Sequence, residues 1–313
     1  MDLSYGEVKA AADRIAGHVR PVSVAPEDRG FLGGEVWLAL EYMQHTGSFK
    51  ARGAQNFILA HQENGTLPDA GVTIASGGNA GLACAWAAQQ RGVHATVFLP
   101  TTAPKVKVDR LVGYGADVRL VGTEYADALA ASHAYAAESG ALLSHAYDHP
   151  LIAAGAGTLM DEIHRALPDL DTVVVAVGGG GLFAGIATVA QHHGVRVIAV
   201  EPANCRALNA AIEADDIVDV PVDSIAADSL GARRATRLAL HAAQNYDVRS
   251  ILVPDDTITT ARHTLWNHRR IAVEHGAATA YAALLSPTYT PTPTEKTCVI
   301  LCGANTNPTD LTK

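Results

Sequence analysis

The stretch TVVVAVGGGGLFAGIATVA at residues 172–190 decides the fold class. It carries no charged residue and is nearly as long as a membrane-spanning helix. Four consecutive glycines at 178–181 interrupt it, and glycine weakens a helix while permitting a tight turn. A buried strand over 172–177, a glycine loop and a buried helix over 182–194 explain these residues better than a membrane span. We therefore predict a protein that does not cross or bind a membrane.

Strand-like and helix-like segments alternate along the chain from about residue 70 onward. The predicted strands cover 71–76, 94–100, 116–122, 172–177, 195–201, 250–255 and 297–302. The predicted helices cover 80–92, 104–115, 124–139, 151–167, 182–194 and 232–246, with two more across 256–286. Apolar strands separated by helices are typical of parallel sheets covered on both faces. The pattern predicts an α/β protein whose ligands bind at the carboxyl ends of the strands.

Composition narrows the possible partners and the compartment. The chain has 313 residues, 48 % of them apolar, and a net charge of −9, which argues against nucleic-acid binding. Its four cysteines form no CxxC pair, and its 14 histidines form no metal-binding motif. The first residues contain no apolar segment typical of a signal peptide. We expect a cytoplasmic protein of two lobes that binds a small molecule and no metal.

The glycine loop at 178–181 follows a strand and precedes a helix, where free N–H groups suit a phosphate. The same glycines could instead form only a tight turn. A dinucleotide site is a further alternative. Gly179, Gly181 and Ala184 match G-x-G-x-x-A, and Glu201 ends the next strand, where a ribose-binding acid would lie. The motif is too short to decide between these possibilities.

Three other loops contain residues that could bind a ligand or take part in catalysis. SGGNAG at 76–81 lies between a strand and a helix and could bind a carboxylate, although Ser76 or Asn79 could also be a simple helix cap. Lys50 directly follows a Gly-Ser-Phe turn, where a solvent-exposed lysine is the ordinary interpretation. Cys302 ends an apolar strand and begins CGAN, and a buried cysteine is usually inert.

Together the motifs QHTGSFKARGA (44–54), ASGGNAGLA (75–83), VGGGGLFAG (177–185) and LCGAN (301–305) resemble the fold type II pyridoxal-phosphate enzymes. The closest resemblance is to the serine/threonine dehydratase (threonine ammonia-lyase) family, which is related to serine racemase. The resemblance covers nearly the whole chain in the family's order. It implies an α/β fold of two open, twisted, mostly parallel sheets flanked by helices, as in the β subunit of tryptophan synthase. It also implies a small domain at 70–147 and a large domain formed by 1–69 and 148–313.

The resemblance assigns roles to these residues. Lys50 would form the Schiff base with pyridoxal phosphate, and Phe49 would lie against the cofactor ring. Asn79 would hydrogen-bond the 3-oxygen of the ring, and Cys302 would face the pyridine nitrogen. The cofactor phosphate would lie in the loop of Gly178, Gly179, Gly180 and Gly181. The substrate carboxylate would be held by Ser76, Gly77, Gly78, Asn79 and Ala80.

The implied activity is elimination of the β-hydroxyl of L-threonine and/or L-serine, with Lys50 as general base, to give a 2-oxo acid and ammonia. Racemases of the group carry a serine base where this chain has Gly77, so racemisation is disfavoured. A 3-hydroxyaspartate dehydratase, a β-replacement enzyme and a residual racemase remain alternatives. A nicotinamide oxidoreductase or a non-catalytic binding protein would leave Lys50 unused.

Two departures from relatives limit the expected function. Several relatives bind a divalent cation through E-P-x-x-A-x-D, but EPANCRA (201–207) retains only the glutamate of its acidic residues, so no metal is expected. The chain ends eleven residues after Cys302, so no C-terminal regulatory domain is expected. The family also favours a homodimer.

Overall fold

The computed structural model describes residues 2–312, which contain two β-sheets. The six-stranded sheet has the order β1-β2-β10-β7-β8-β9, and every pair is parallel except β1 with β2. The four-stranded sheet has the order β5-β4-β3-β6 and is entirely parallel. The strands are β1 Val24–Pro26, β2 Glu35–Ala39, β3 Val72–Ala75, β4 Ala95–Leu99, β5 Asp117–Leu120, β6 Leu142–Leu143, β7 Thr172–Ala176, β8 Arg196–Pro202, β9 Val248–Val253 and β10 Lys296–Ile300.

Helices connect most of these strands. They are α1 Tyr5–Ile15, α2 Lys50–Glu63, α3 Asn79–Gln90, α4 Lys105–Gly113, α5 Tyr125–Ser139, α6 Pro150–Ala166, α7 Gly181–His193, α8 Ala207–Ala214, α9 Ala227–Leu230, α10 Arg237–Asn245, α11 Asp255–Arg269 and α12 His275–Leu285. The prediction of two mostly parallel sheets flanked by helices is confirmed. The apolar stretch at 172–190 divides, as predicted, into a strand, a glycine loop and a helix. Within residues 2–312, no helix is long and apolar enough to span a membrane.

Close helix packing places the start of α2 beside both sheets. A Cβ added to Gly155 of α6 would lie 2.8 Å from the Cα of Gly53, and one added to Gly157 would lie 2.8 Å from the carbonyl oxygen of Gly185. Only glycine permits these approaches between α6 and its neighbours α2 and α7. Residues 51–60 of α2 are consequently all buried.

The core around the four-stranded sheet extends beyond the strands that form it. All four of its strands lie within residues 72–143, but Phe57 of α2 and Ile152 of α6 join their hydrophobic core. Helix α2 therefore packs with the smaller sheet although it precedes β3 in the chain. The predicted small domain at 70–147, with 1–69 and 148–313 as the large one, stays a prediction.

Several parts of the secondary structure differ from expectation. The helix predicted from residue 232 begins at Arg237, because the Thr236 hydroxyl accepts a hydrogen bond from the Ala239 amide at 3.0 Å and so caps α10. Helix α1 was not predicted, although Ser4 and Glu7 form a capping box that marks its start. Strands β1 and β2 were missed as well, since both are short and partly exposed.

Candidate active site

A cavity of about 870 Å³ lies where loops from the two sheets meet. Loops at the carboxyl ends of β3, β7 and β10 open into it, as expected for parallel sheets. The structure brings together every site residue predicted from the sequence. The cavity is lined by Phe49, Lys50, Ser76, Gly77, Gly78, Asn79, Ala80, Gly178, Gly179, Gly180, Gly181 and Cys302.

Backbone pairing with the end of β10 positions Lys50. The Phe49 amide donates to the Cys302 carbonyl at 3.0 Å, and Ser48 forms an isolated antiparallel bridge with Gly303. Lys50 is the first residue of α2, so these contacts fix the point at which its side chain leaves the backbone. The turn that follows β2 is thereby attached to the central part of the larger sheet.

The Lys50 amine is held inside the cavity and forms no salt bridge with any of residues 2–312. Its Nζ donates to the carbonyl oxygen of Ala146 at 2.7 Å and lies 4.7 Å from the centroid of the Phe49 ring. Burial lowers the pKa of Lys50 from 10.5 to about 8, although the carboxylate of Glu274 acts in the opposite direction. A substantial fraction of the amine is therefore neutral near physiological pH, as a nucleophile or base requires.

The loop at 178–181 offers a row of unpaired backbone donors. None of the amides of Gly178–Gly181 donates to an acceptor within residues 2–312. Gly180 has a φ of 97°, a conformation that strongly favours glycine, and Gly181 opens the thirteen-residue helix α7. Free N–H groups at the N-terminus of a buried helix form an anion site suited to a phosphate.

The loop after β3 also lines the cavity. The amides of Gly77, Asn79 and Ala80 also lack an acceptor in the described chain, which suits a carboxylate. A Cβ added to Gly77 would lie 2.2 Å from Cδ2 of Leu99, and one added to Gly81 would lie 1.8 Å from the carbonyl oxygen of Ser76. Packing therefore requires glycine at Gly81, where the added atom would meet backbone, and favours it at Gly77, whereas a Cβ on Gly78 would meet nothing within 4 Å.

Glu274 lines the same cavity and was missed from the sequence. Both of its carboxylate oxygens accept from Nδ2 of Asn79, at 2.9 and 3.1 Å. Burial raises the pKa of Glu274 to about 7, even though the Asn79 hydrogen bond favours the ionised form. The only sequence signal was an acid placed between the apolar run 271–273 and the alanine-rich helix α12.

A second amide fixes the other end of the Asn79 side chain. Nδ2 of Asn305 donates to Oδ1 of Asn79 at 2.6 Å and to the carbonyl oxygen of Thr46 at 2.7 Å. Thr46 has a φ of 62°, which is uncommon for a β-branched residue. With Glu274 on one side and Asn305 on the other, the amide of Asn79 has a single orientation in the cavity.

Cys302 presents a neutral thiol to the cavity. The residue is buried, and burial near Glu274 raises the pKa of its thiol well above the ordinary value. A protonated thiol carries no charge that could hold a proton on a nitrogen opposite it. Cys302 therefore lacks the activation expected of a catalytic thiolate.

Glu201, the acid that a dinucleotide site would need, is engaged elsewhere. Its carboxylate accepts from the amides of Leu208 and Asn209, at 2.8 and 2.7 Å, at the start of α8. It is fully buried and does not line the cavity. The dinucleotide alternative is thus left without its ribose-binding group. Within residues 2–312 no cluster of three His, Cys, Asp or Glu residues could hold a metal ion.

Comparison with known families identifies the cofactor. A family model described as pyridoxal-phosphate dependent enzyme matches residues 15–303, nearly the whole chain. The chain belongs to the pyridoxal-phosphate-dependent enzyme family. The donors in the cavity fit this cofactor, because they supply an amine for its aldehyde, free amides for its phosphate and an uncharged thiol for its ring nitrogen.

Relatives within the pyridoxal-phosphate-dependent family confirm the predicted resemblance. An L-threonine ammonia-lyase from Geobacter sulfurreducens is 34 % identical over 307 residues, covering 97 % of this chain and 76 % of that protein. Maize serine racemase superposes with a TM-score of 0.93 at 28 % identity, covering 99 % of this chain and 96 % of the other. The processed form of threonine deaminase isoform 2 from Solanum lycopersicum has a TM-score of 0.88 at 26 % identity, covering 100 % and 89 %.

Proposed function

We propose that this enzyme eliminates the β-hydroxyl of L-threonine and/or L-serine to give a 2-oxo acid and ammonia. The observation that carries the proposal is the Lys50 amine, which shares one cavity with two separate sets of free amides. One set suits the cofactor phosphate and the other a substrate carboxylate. The names of the threonine ammonia-lyase and threonine deaminase relatives support the same substrate class.

Pyridoxal phosphate, when bound, supplies an electron sink for the negative charge that develops at the α-carbon of an amino acid. Gly178–Gly181 would hold its phosphate, Phe49 would lie against its ring, and the side-chain amide of Asn79 would hydrogen-bond its 3-oxygen. The neutral Cys302 thiol would face the ring nitrogen and leave it unprotonated. A weaker electron sink favours rapid loss of the β-hydroxyl over a long-lived carbanion.

The chain's own groups divide the remaining work. Amides of the loop from Ser76 to Ala80 bind the substrate carboxylate and so orient the α-hydrogen. The neutral Lys50 amine accepts the α-proton as general base. Gly77 has no side chain that could deliver or accept a proton on the opposite face. This one-sided arrangement favours elimination over racemisation.

A second substrate, 3-hydroxyaspartate, is favoured by one observation. Three cationic side chains, Lys107, Arg233 and Arg234, line the cavity in addition to Lys50, and could attract a second carboxylate. Two of them already pair with acids, Lys107 with Asp228 and Arg234 with Asp219. A β-replacement reaction uses the same first steps and remains a further alternative.

The test is release of 2-oxo acid, with pyridoxal phosphate added, from L-threonine, L-serine and L-threo-3-hydroxyaspartate in parallel. Lys50→Ala should abolish turnover of the active substrate, whereas Lys105→Ala, an exposed lysine of α4 outside the cavity, should retain it. Product from hydroxyaspartate alone would change the substrate and keep the chemistry. Near wild-type turnover by Lys50→Ala, or no product from any of the three, would refute the proposal.

We also propose that the enzyme is a cytoplasmic homodimer. All four cysteines are free and buried, which suits a reducing compartment. A symmetric dimer is the commonest assembly for soluble enzymes. Light scattering coupled to gel filtration should give twice the chain mass of 32.6 kDa, and a monomer at micromolar concentration would refute the dimer.

A further inference from the structure

Tyr147 lies against the glycine loop on the cavity side. A Cβ added to Gly179 would lie 2.2 Å from Cε2 of the Tyr147 ring, and one added to Gly181 would lie 2.6 Å from the Tyr147 carbonyl oxygen. The ring edge is therefore in van der Waals contact with the backbone whose amides are free. A phosphate bound by those amides would lie beside this ring.

The same segment also reaches the Schiff-base lysine. Ala146, the residue before Tyr147, accepts the hydrogen bond from Nζ of Lys50 at 2.7 Å, and that nitrogen lies 5.9 Å from the centroid of the Tyr147 ring. Tyr147 thus contacts the loop that suits the cofactor phosphate, and the residue before it binds the amine that would bond the cofactor aldehyde.

The Tyr147 hydroxyl has no hydrogen-bond partner among residues 2–312, although the side chain is half-buried and lines the cavity. The hydroxyl oxygen is open to the cavity, so a ligand bound there can reach it. Burial, with Tyr125 and Asp148 nearby, raises the pKa of Tyr147, so the phenol stays protonated and can donate.

We propose that Tyr147 is a ligand of the cofactor phosphate, with its ring packed against the glycine loop and its hydroxyl donating to a phosphate oxygen. The cationic side chains of the cavity are poorly suited to bind the phosphate, because Lys107 and Arg234 are paired with acids and Arg233 is exposed. Amides and one phenol would then share the charge of the phosphate. Tyr147 can have this role only if Gly178–Gly181 hold the phosphate, as proposed above.

The experiment compares two ligands that differ only in the phosphate. Dissociation constants for pyridoxal phosphate and for pyridoxal are measured on full-length protein freed of cofactor, for wild type and Tyr147→Phe. A hydrogen bond to a charged group is worth enough to weaken pyridoxal phosphate by about tenfold to a hundredfold. Affinity for pyridoxal, which has no phosphate, should stay within about twofold. The ³¹P resonance of the bound cofactor should also move in the variant.

Tyr125→Phe is the matched control, because Tyr125 lines the same cavity but is not among the atoms nearest to a Cβ placed on any of the four glycines. It should leave both constants unchanged. Tyr147→Leu removes ring and hydroxyl together, and should raise the ratio of the two constants at least as much as Tyr147→Phe. A partly unfolded variant would lose both ligands alike, so the ratio isolates the hydroxyl.

Two results would overturn the assignment of Tyr147. One is an unchanged affinity of Tyr147→Phe for pyridoxal phosphate. The other is an equal loss for both ligands with an unchanged circular dichroism spectrum, which would show a packing role only. A wild-type protein that binds pyridoxal as tightly as pyridoxal phosphate would instead refute the phosphate site itself, and Tyr147 with it.

Discussion

Replacing Glu274 by glutamine should stabilise the apoprotein at alkaline pH and impair catalysis. Burial raises the pKa of Glu274 from 4.5 to about 7 in the folded protein. Between these two values the folded state binds more protons than the unfolded state, so the unfolding free energy falls as pH rises. A pKa difference of about 2.5 corresponds to roughly 3 kcal/mol, present as a cost above pH 7 and absent below 4.5.

Glutamine keeps the size of the side chain and removes this titration. The unfolding free energy at pH 8, relative to that at pH 4.5, should therefore be higher by about 3 kcal/mol in Glu274→Gln than in wild type. The hydrogen bond lost from Asn79 lowers stability at both pH values and cancels from the comparison. Urea unfolding followed by tryptophan fluorescence at the two pH values supplies the four free energies.

The same substitution should lower the catalytic efficiency kcat/KM. Glutamine offers Nδ2 of Asn79 one acceptor oxygen and turns a donor toward it, so the orientation of the Asn79 amide is lost. Because a hydrogen bond to a charged group is worth about 1.5–3 kcal/mol, kcat/KM should fall by about tenfold to a hundredfold. Glu201→Gln is the control, since Glu201 is equally buried with a pKa of about 7 but lies outside the cavity. It should alter the pH dependence of stability and leave kcat/KM within about twofold.

The raised pKa of Glu274 is refuted if Glu274→Gln shows the same stability difference between pH 4.5 and pH 8 as wild type. That result would mean that Glu274 titrates near its ordinary pKa and is solvated in the folded protein. Equal losses of activity in Glu274→Gln and Glu201→Gln would separately refute a specific role for Glu274 at Asn79.

Three further outcomes are expected. The rate at which apoprotein recombines with pyridoxal phosphate should rise about tenfold per pH unit and level off near pH 8, because only the neutral Lys50 amine reacts. The rate is measured by stopped-flow absorbance, and a rate that levels off only near pH 10.5 would contradict this prediction. Gly77→Ala should raise KM, because its methyl group would lie 2.2 Å from Leu99, and adding Leu99→Ala should restore KM; steady-state kinetics showing no rescue would place the defect elsewhere. Arg52→Leu should lower the unfolding free energy by about 3–5 kcal/mol, since it leaves the buried Glu41 unpaired, and the further change Glu41→Leu should recover much of the loss in urea titrations.

Lys50 illustrates what the local sequence could predict and what it could not. Glycines and a turn on either side of a lysine predict a loop and a helix, but a solvated lysine was the ordinary interpretation of the same letters. What distinguishes Lys50 is its burial and its hydrogen bond to Ala146, 96 residues away. Burial depends on how α2 packs against α3 and α6, and no local pattern encodes that.

The alternation of apolar strands and helices determined the sheets, because period and polarity are local properties of the chain. The resemblance of four motifs to pyridoxal-phosphate enzymes then predicted the cofactor and the site residues. All of those residues line one cavity. No functional role was assigned to Glu274, Asn305 or Tyr147 from the sequence, because nothing in the residues around each of them indicates a special function. Their importance comes from contacts with distant partners, Asn79 for the first two and Gly179 for the third. Local patterning thus fixed the elements, while the long-range packing of those elements decided which polar groups are buried and what they face.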